Sequence, residues 1–137
     1  MKRNWIKRII VVTCFIGIGI LSKESVEAYD PNYVHWENRW NDPYDTTYKI
    51  KKWSTSAYFL NITSISGQIS AEAWGYSSRI GGTGNTPVSN GNIYRISTRG
   101  TRYLTNYLVE WYGKGNNAWI VDNVWGYGSA YGRWRPD

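Results

Sequence analysis

The sequence predicts an all-β domain, a small antiparallel β-sandwich with a small open β-barrel as the alternative, following a cleaved N-terminal signal peptide. Three observations carry this. From Thr47 onward apolar and polar residues alternate with a period of two in run after run, which is the signature of half-buried strands. Gly- and Asn-rich turns separate those runs, as strand connections require. No helix is predicted after residue 50, where the period-two reading prevails.

The first 28 residues read differently. Lys2, Arg3, Lys7 and Arg8 give a basic start, residues 9–21 form an uncharged run of 13, and Val26-Glu27-Ala28 supplies the small residues of a cleavage site. This order is that of a secretory signal peptide cut after Ala28. A membrane-spanning helix needs roughly 20 apolar residues, so the run is too short to be an anchor. The mature chain, residues 29–137, is expected outside the cell, with 11 basic and 8 acidic side chains and a net charge of +3. That charge is ordinary for a soluble protein and does not point to nucleic acid. Cys14 lies inside the apolar run rather than directly after it, so it does not form a lipid-attachment site. The mature chain then contains no cysteine, which excludes disulfides, thiol nucleophiles and thiolate metal ligands.

Taken in order, residues 29–46 are rich in Asn, Asp and Pro and are expected to form an irregular arm, with Trp36 and Trp40 one helical turn apart. The sandwich is assigned to 47–137. Tyr48 and Ile50 alternate with lysines. Residues 57–64 place Tyr58, Leu60 and Ile62 on one side, and residues 68–76 place Ile69, Ala71 and Ala73 on one side with Glu72, Trp74 and Tyr76 on the other. The Ser66-Gly67 turn between them predicts a hairpin. Residues 77–91 hold Gly81, Gly82, Gly84 and Gly91 without a period and are expected to be a long loop. Residues 93–97 and 102–112 read as a second hairpin, the long strand carrying Tyr103, Thr105, Tyr107, Val109 and Trp111 on one face. Further strands are expected at 118–125 and around 130–134.

Recognised catalytic patterns are missing. His35 is the only histidine, and no nucleophile elbow, zinc-protease or phosphate-loop pattern occurs. No cofactor is expected. Glu72, Glu110 and Asp122 are the strand carboxylates from which a small wall-active hydrolase would have to be built; this is a minor reading, and a non-enzyme is expected. Asp30, Asp42 and Asp45 offer oxygen ligands without the spacing of a calcium loop. Asn61-Ile62-Thr63 matches a glycosylation acceptor.

The positive signal is aromatic. The mature chain holds eight Trp, twelve Tyr and one Phe but only three Leu. Buried rings each remove roughly 150–250 Å² from water, so a few of them can replace an aliphatic core. Twenty-one exceed what such a core can hide, so some rings should reach the surface. Rings interspersed with arginine bind sugars, headgroup interfaces and single-stranded bases. The expected binding residues are Trp74, Tyr76, Tyr94, Arg95, Arg99, Arg102, Tyr103, Arg133, Trp134 and Arg135. The expected partner is cell-wall glycan or an anionic wall polymer, with a membrane surface as the alternative and nucleic acid not expected. The oligomeric state is left open.

The Asn61-Ile62-Thr63 run, the Val88-Ser89-Asn90 run and the ending Ala130-Tyr131-Gly132-Arg133-Trp134-Arg135-Pro136-Asp137 resemble a loose group of small secreted proteins of Gram-positive bacteria, of unknown function and often associated with bacteriocin genes. Their usual ending is Gly-x-Trp followed by Ser-Pro-Asp or acidic residues; Arg135 stands here in place of the small or acidic residue. The resemblance implies a secreted all-β domain and brings no catalytic residue. It also frames the alternative function, a bacteriocin-like antimicrobial protein acting on a target membrane or wall precursor.

Overall fold

The computed structural model describes residues 30–123 and 127–137. The expected signal peptide, with Cys14, and residues 124–126 at the end of the expected 118–125 strand lie outside them. Among the described residues ten strands and one short helix follow in order: β1 (Tyr33–Asn38), β2 (Tyr44–Thr46), β3 (Ile50–Lys52), β4 (Tyr58–Gly67), β5 (Ile69–Tyr76), β6 (Asn85–Pro87), β7 (Tyr94–Ile96), β8 (Gly100–Leu104), α1 (Leu108–Tyr112), β9 (Asn116–Asn123) and β10 (Gly128–Arg135). They build two antiparallel sheets that do not close into a barrel. The first has the order β1-β10-β4-β8. The second has β9 and β5 at its centre, β2 and β3 pairing with β9, and β6 and β7 pairing with β5. The fold is the expected all-β sandwich.

The core follows from the alternation. Val34 and Trp36 from β1, Tyr58, Leu60 and Ile62 from β4, and Ala130 and Trp134 from β10 face Ile69, Ala71 and Ala73 from β5 and Ala118 and Ile120 from β9. The inner faces of two sheets thereby meet, as in any sandwich. Trp36, Tyr58 and Trp134 are wholly buried, and the last two pack with ring centroids 5.7 Å apart. The Tyr58 hydroxyl donates to the Trp74 carbonyl at 2.9 Å, and burial raises its pKa. Trp134 Nε1 donates to the Pro31 carbonyl at 3.1 Å. Rings thus supply the burial that leucine supplies elsewhere.

Both expected hairpins are corrected. β4 and β5 lie in different sheets, as do β7 and β8. Only Gln68 separates β4 from β5, and Gly67 makes the corner at φ +75°, where an added Cβ would collide with the Tyr127 carbonyl. The reason is burial. In a hairpin, the apolar sets of β4 and β5 would lie side by side on one face; in facing sheets they pack onto each other. The same requirement ends the expected 102–112 strand at Leu104. Asn106 turns the chain by donating to the Ser56 carbonyl (2.9 Å) and accepting from the Leu108 amide (3.2 Å). Leu108 then seats against Gly75, where an added Cβ would lie 2.6 Å from Leu108 Cδ1. Leu104 ends β8 and Leu108 opens α1, both wholly buried, and the turn between them breaks the period-two pattern of 103–111.

The expected irregular arm carries β1, which pairs with β10 from Tyr33↔Arg133 to Asn38↔Gly128, and β2. The expected long loop at 77–91 contains β6 and buries Val88 and Ser89 completely. Its first part is closed by the Ser77 amide bonding to the Gly84 carbonyl at 2.9 Å.

At one end of the sandwich Lys52 is fully buried. Its ammonium donates to the Pro136 carbonyl, to Ser56 Oγ at 3.3 Å and to the Asp137 carboxylate at 3.2 Å. The same carboxylate accepts from the Trp53 and Ser54 amides and the Ser54 hydroxyl. Burial lowers the Lys52 pKa against the pull of Asp137. Burial would raise that of Asp137, but the bonds from Ser54, Trp53 and Lys52 hold it below the usual carboxylate range.

Candidate functional site

The outer face of the β1-β10-β4-β8 sheet is where rings and arginines converge. Residues that face outward on four adjacent strands line up by register. Tyr33 on β1 is opposite Arg133 on β10, which is opposite Asn61 on β4, which is opposite Thr101 on β8. In the next row Arg135 is opposite Phe59, and Phe59 is opposite Tyr103. On the other side His35 is opposite Tyr131. Cross-strand neighbours at this spacing are in contact. Arg135 lies 4.0 Å over the Phe59 ring, well inside the reach of a cation–π contact. Phe59 meets Tyr103 edge-on at 5.9 Å. His35 stacks on Tyr131 at 4.4 Å and 14°, and Tyr33 leans on Tyr131 at 6.4 Å. Tyr103 is 66% exposed, and Tyr33, His35, Tyr131, Arg133 and Arg135 are all open to solvent.

Gly132 sits in the middle of this face, where Asn61 and Ile62 of β4 approach so closely that a Cβ would collide with the Asn61 carbonyl. The ladder shifts register between Tyr131 and Gly132. The extra residue is Thr63 on β4, so β10 keeps its alternation and Tyr131 and Arg133 face the same way.

The face runs over its β1 edge into a cleft of about 320 Å³ lined by Tyr33, His35, Asp45, Thr46 and Tyr48. There the edge of one sheet meets β2 from the other. Asp45 is fixed at both oxygens: Oδ2 accepts from the Glu37 amide and Oδ1 from the Thr46 amide, each at 3.0 Å.

Of the ten residues expected to bind, the structure brings Tyr103, Arg133 and Arg135 onto this face. Trp134 lies next to them in sequence but points into the core, because successive strand residues face opposite ways. Arg102 turns to the inner side and caps its own turn, donating to the Thr98 carbonyl (3.0 Å), the Thr98 hydroxyl (2.9 Å) and the Gly100 carbonyl (3.1 Å). Tyr94 is half-buried, and its hydroxyl is held by Thr105. Trp74 and Tyr76 lie on the outer side of the other sheet, half-buried, with Trp74 Nε1 donating to Glu72 at 3.2 Å. Arg95 and Arg99 are exposed on β7 and the turn after it. Sequence reasoning missed Tyr33, His35, Phe59 and Tyr131. The signal was present for the first two, since Tyr33-Val34-His35-Trp36 alternates.

The strand carboxylates are dispersed. Glu72 pairs in register with Val121, so it lies on the opposite face of its sheet from Asp122, and it accepts from the Ser89 hydroxyl at 2.7 Å. Glu110 is on α1 rather than on a strand. Asp122 is wholly buried. It accepts from the Ser70 amide (2.8 Å), the Ser70 hydroxyl (3.4 Å) and the Asn38 amide (2.7 Å). Burial outweighs those bonds and pushes its carboxyl up to about 6. Among the described residues no group of three metal-ligating side chains forms, and no helix is long and apolar enough to cross a membrane.

No protein-family model matches the chain, and no curated protein does. Among solved structures it is similar to the crystal structure of PirA, at 10% identity and a TM-score of 0.47, over 80% of this chain and 99% of that one.

Proposed function

We propose that this is a secreted, non-enzymatic binding protein of the cell envelope, released after removal of residues 1–28. The outer face of the β1-β10-β4-β8 sheet holds its ligand, a wall glycan or anionic wall polymer. The observation that carries the reading is the in-register placement of Arg133 and Arg135 among Tyr33, Tyr131, Phe59 and Tyr103 on one exposed sheet face. Arg135 is already packed over the Phe59 ring, so it loses less side-chain entropy on binding. A flat, repetitive face of this kind suits a long polymer better than a small molecule.

The test is co-sedimentation of the purified protein with purified Gram-positive cell wall. The protein should pellet with the wall, and the Arg133→Ala/Arg135→Ala double variant should remain largely in the supernatant. Equal pelleting of the variant would sink the assignment of this face. A second reading, antimicrobial action at a membrane, draws on the exposed Trp53 and Trp111 near the end of the sandwich that holds Lys52, since Trp favours membrane–water interfaces. Sedimentation with anionic liposomes and growth inhibition of related bacteria would favour it.

A further inference from the structure

We infer that the cleft between β1 and β2 is a separate subsite for a neutral, hydroxyl-rich pyranose ring, so that the ligand of this protein is a polysaccharide carrying both uncharged sugars and anionic groups. The inference rests on the binding reading above and divides it between two chemistries.

The cleft is lined by Tyr33, His35, Asp45, Thr46 and Tyr48, and its volume of about 320 Å³ falls at the lower end of the roughly 300–1,000 Å³ typical of small-ligand sites. Its lining combines two phenol rings and an imidazole with one carboxylate and one hydroxyl. The rings offer flat apolar surface with polar tips, which suits the C–H face of a sugar. Asp45 offers the other half. Each of its oxygens already accepts one backbone amide at 3.0 Å, and a carboxylate oxygen has a second lone pair. Two acceptor positions therefore remain on a carboxylate whose orientation is set by the backbone, and hydroxyl-to-carboxylate bonds are short and strong. An apolar ligand would strip water from Asp45 and Thr46 without replacing their hydrogen bonds. An anion would meet the Asp45 charge, and no arginine or lysine lines the cleft. A neutral polyol satisfies both constraints. The stack of His35 on Tyr131 makes the cleft continuous with the Arg133 and Arg135 rows, where the anionic groups of the same polymer would lie.

The experiment is an NMR titration of the purified protein with two probes that each carry one half of the chemistry: neutral tetrasaccharides of glucose, mannose and N-acetylglucosamine, and inorganic polyphosphate. At least one tetrasaccharide should shift the Tyr33, His35 and Tyr48 ring resonances, and polyphosphate should shift those of Tyr103 and the guanidinium groups of Arg133 and Arg135. Asp45→Asn and Tyr48→Ala should each weaken tetrasaccharide binding at least tenfold and leave polyphosphate binding unchanged. If Asp45→Asn does not fold, Tyr48→Ala decides. The inference is overturned if none of the tetrasaccharides moves the cleft resonances at 20 mM, or if the variants bind them as the parent does. Retained polyphosphate and wall binding in that event would leave the broader reading standing, whereas loss of all three would remove both.

Discussion

Asp122 is the residue whose environment has the clearest thermodynamic consequence. Its carboxyl titrates near pH 6 in the folded protein and near 3.9 in an unfolded chain. Between those values the folded state binds the extra proton, so stability falls as pH rises from about 4 to 6. Two pH units correspond to about 3 kcal/mol as an upper figure. The neighbouring Asn38 carbonyl oxygen is buried without a partner, and a protonated Asp122 is a donor that the ionised form is not. Asp122→Asn is therefore expected to flatten the pH 4–7 stability profile and to leave stability at pH 7 unchanged or higher, read from urea midpoints across that range. A steep slope retained in the variant would show that another group titrates. Asp137 has the opposite sign: its lowered pKa contributes stability that is present at neutral pH and lost as pH falls below about 4. Asp137→Ala leaves the buried Lys52 ammonium without its counter-charge. The expected cost is about 2 kcal/mol, less than for a fully buried pair because Asp137 is partly solvated. Lys52→Met in the same background should recover part of it, which a double-mutant cycle of melting temperatures would measure.

At the level of elements, β4, β5, β7, β9 and β10 were legible as strands, β1, β2 and β6 were not, and strand partnership was not legible at all. The alternation of Tyr58, Leu60 and Ile62 and of Ile69, Ala71 and Ala73 located β4 and β5, because period two is a property of each strand alone. Whether two such strands pair or face each other depends on the corner at Gly67, and the local sequence is compatible with either. The helix α1 was hidden for a related reason: 103–111 satisfies both periods, and the contact of Leu108 with Gly75, 33 positions apart in the numbering, selects one. Leu108→Ala is accordingly expected to cost about 2–5 kcal/mol and to abolish the Tyr107–Trp111 stack at 5.3 Å, visible in near-ultraviolet circular dichroism. Gly132→Ala should cost at least about 2 kcal/mol, since the Asn61 carbonyl leaves no room for a methyl group. It should also disturb wall binding, because Tyr131 and Arg133 flank the bulge. Only part of the site was readable. Tyr103, Arg133 and Arg135 stood out as rings and charges, but Trp134 was indistinguishable from them without the register that turns it inward.

For the whole molecule, the aromatic excess in the composition divides into two populations. Trp36, Tyr58 and Trp134 fill the core, while Tyr33, Tyr103 and Tyr131 stay at the surface, so a single compositional bias supplies both the cohesion of the core and an exposed aromatic face. If binding is carried by Arg133 and Arg135, it is screened by salt over a Debye length of about 10 Å at 0.1 M. Wall association should weaken several-fold between 50 and 500 mM NaCl, as measured by co-sedimentation, while the melting temperature changes little. Salt-insensitive association would place the affinity in the rings instead.

The position of β10 bears on when this fold can form. The last strand in the chain lies between β1 and β4, so until residues 128–135 are available two partners wait for a common neighbour, and the first strand has nothing to zip onto. The first sheet therefore closes only when the C-terminal segment docks between its two partners, a contact of long sequence separation that slows folding.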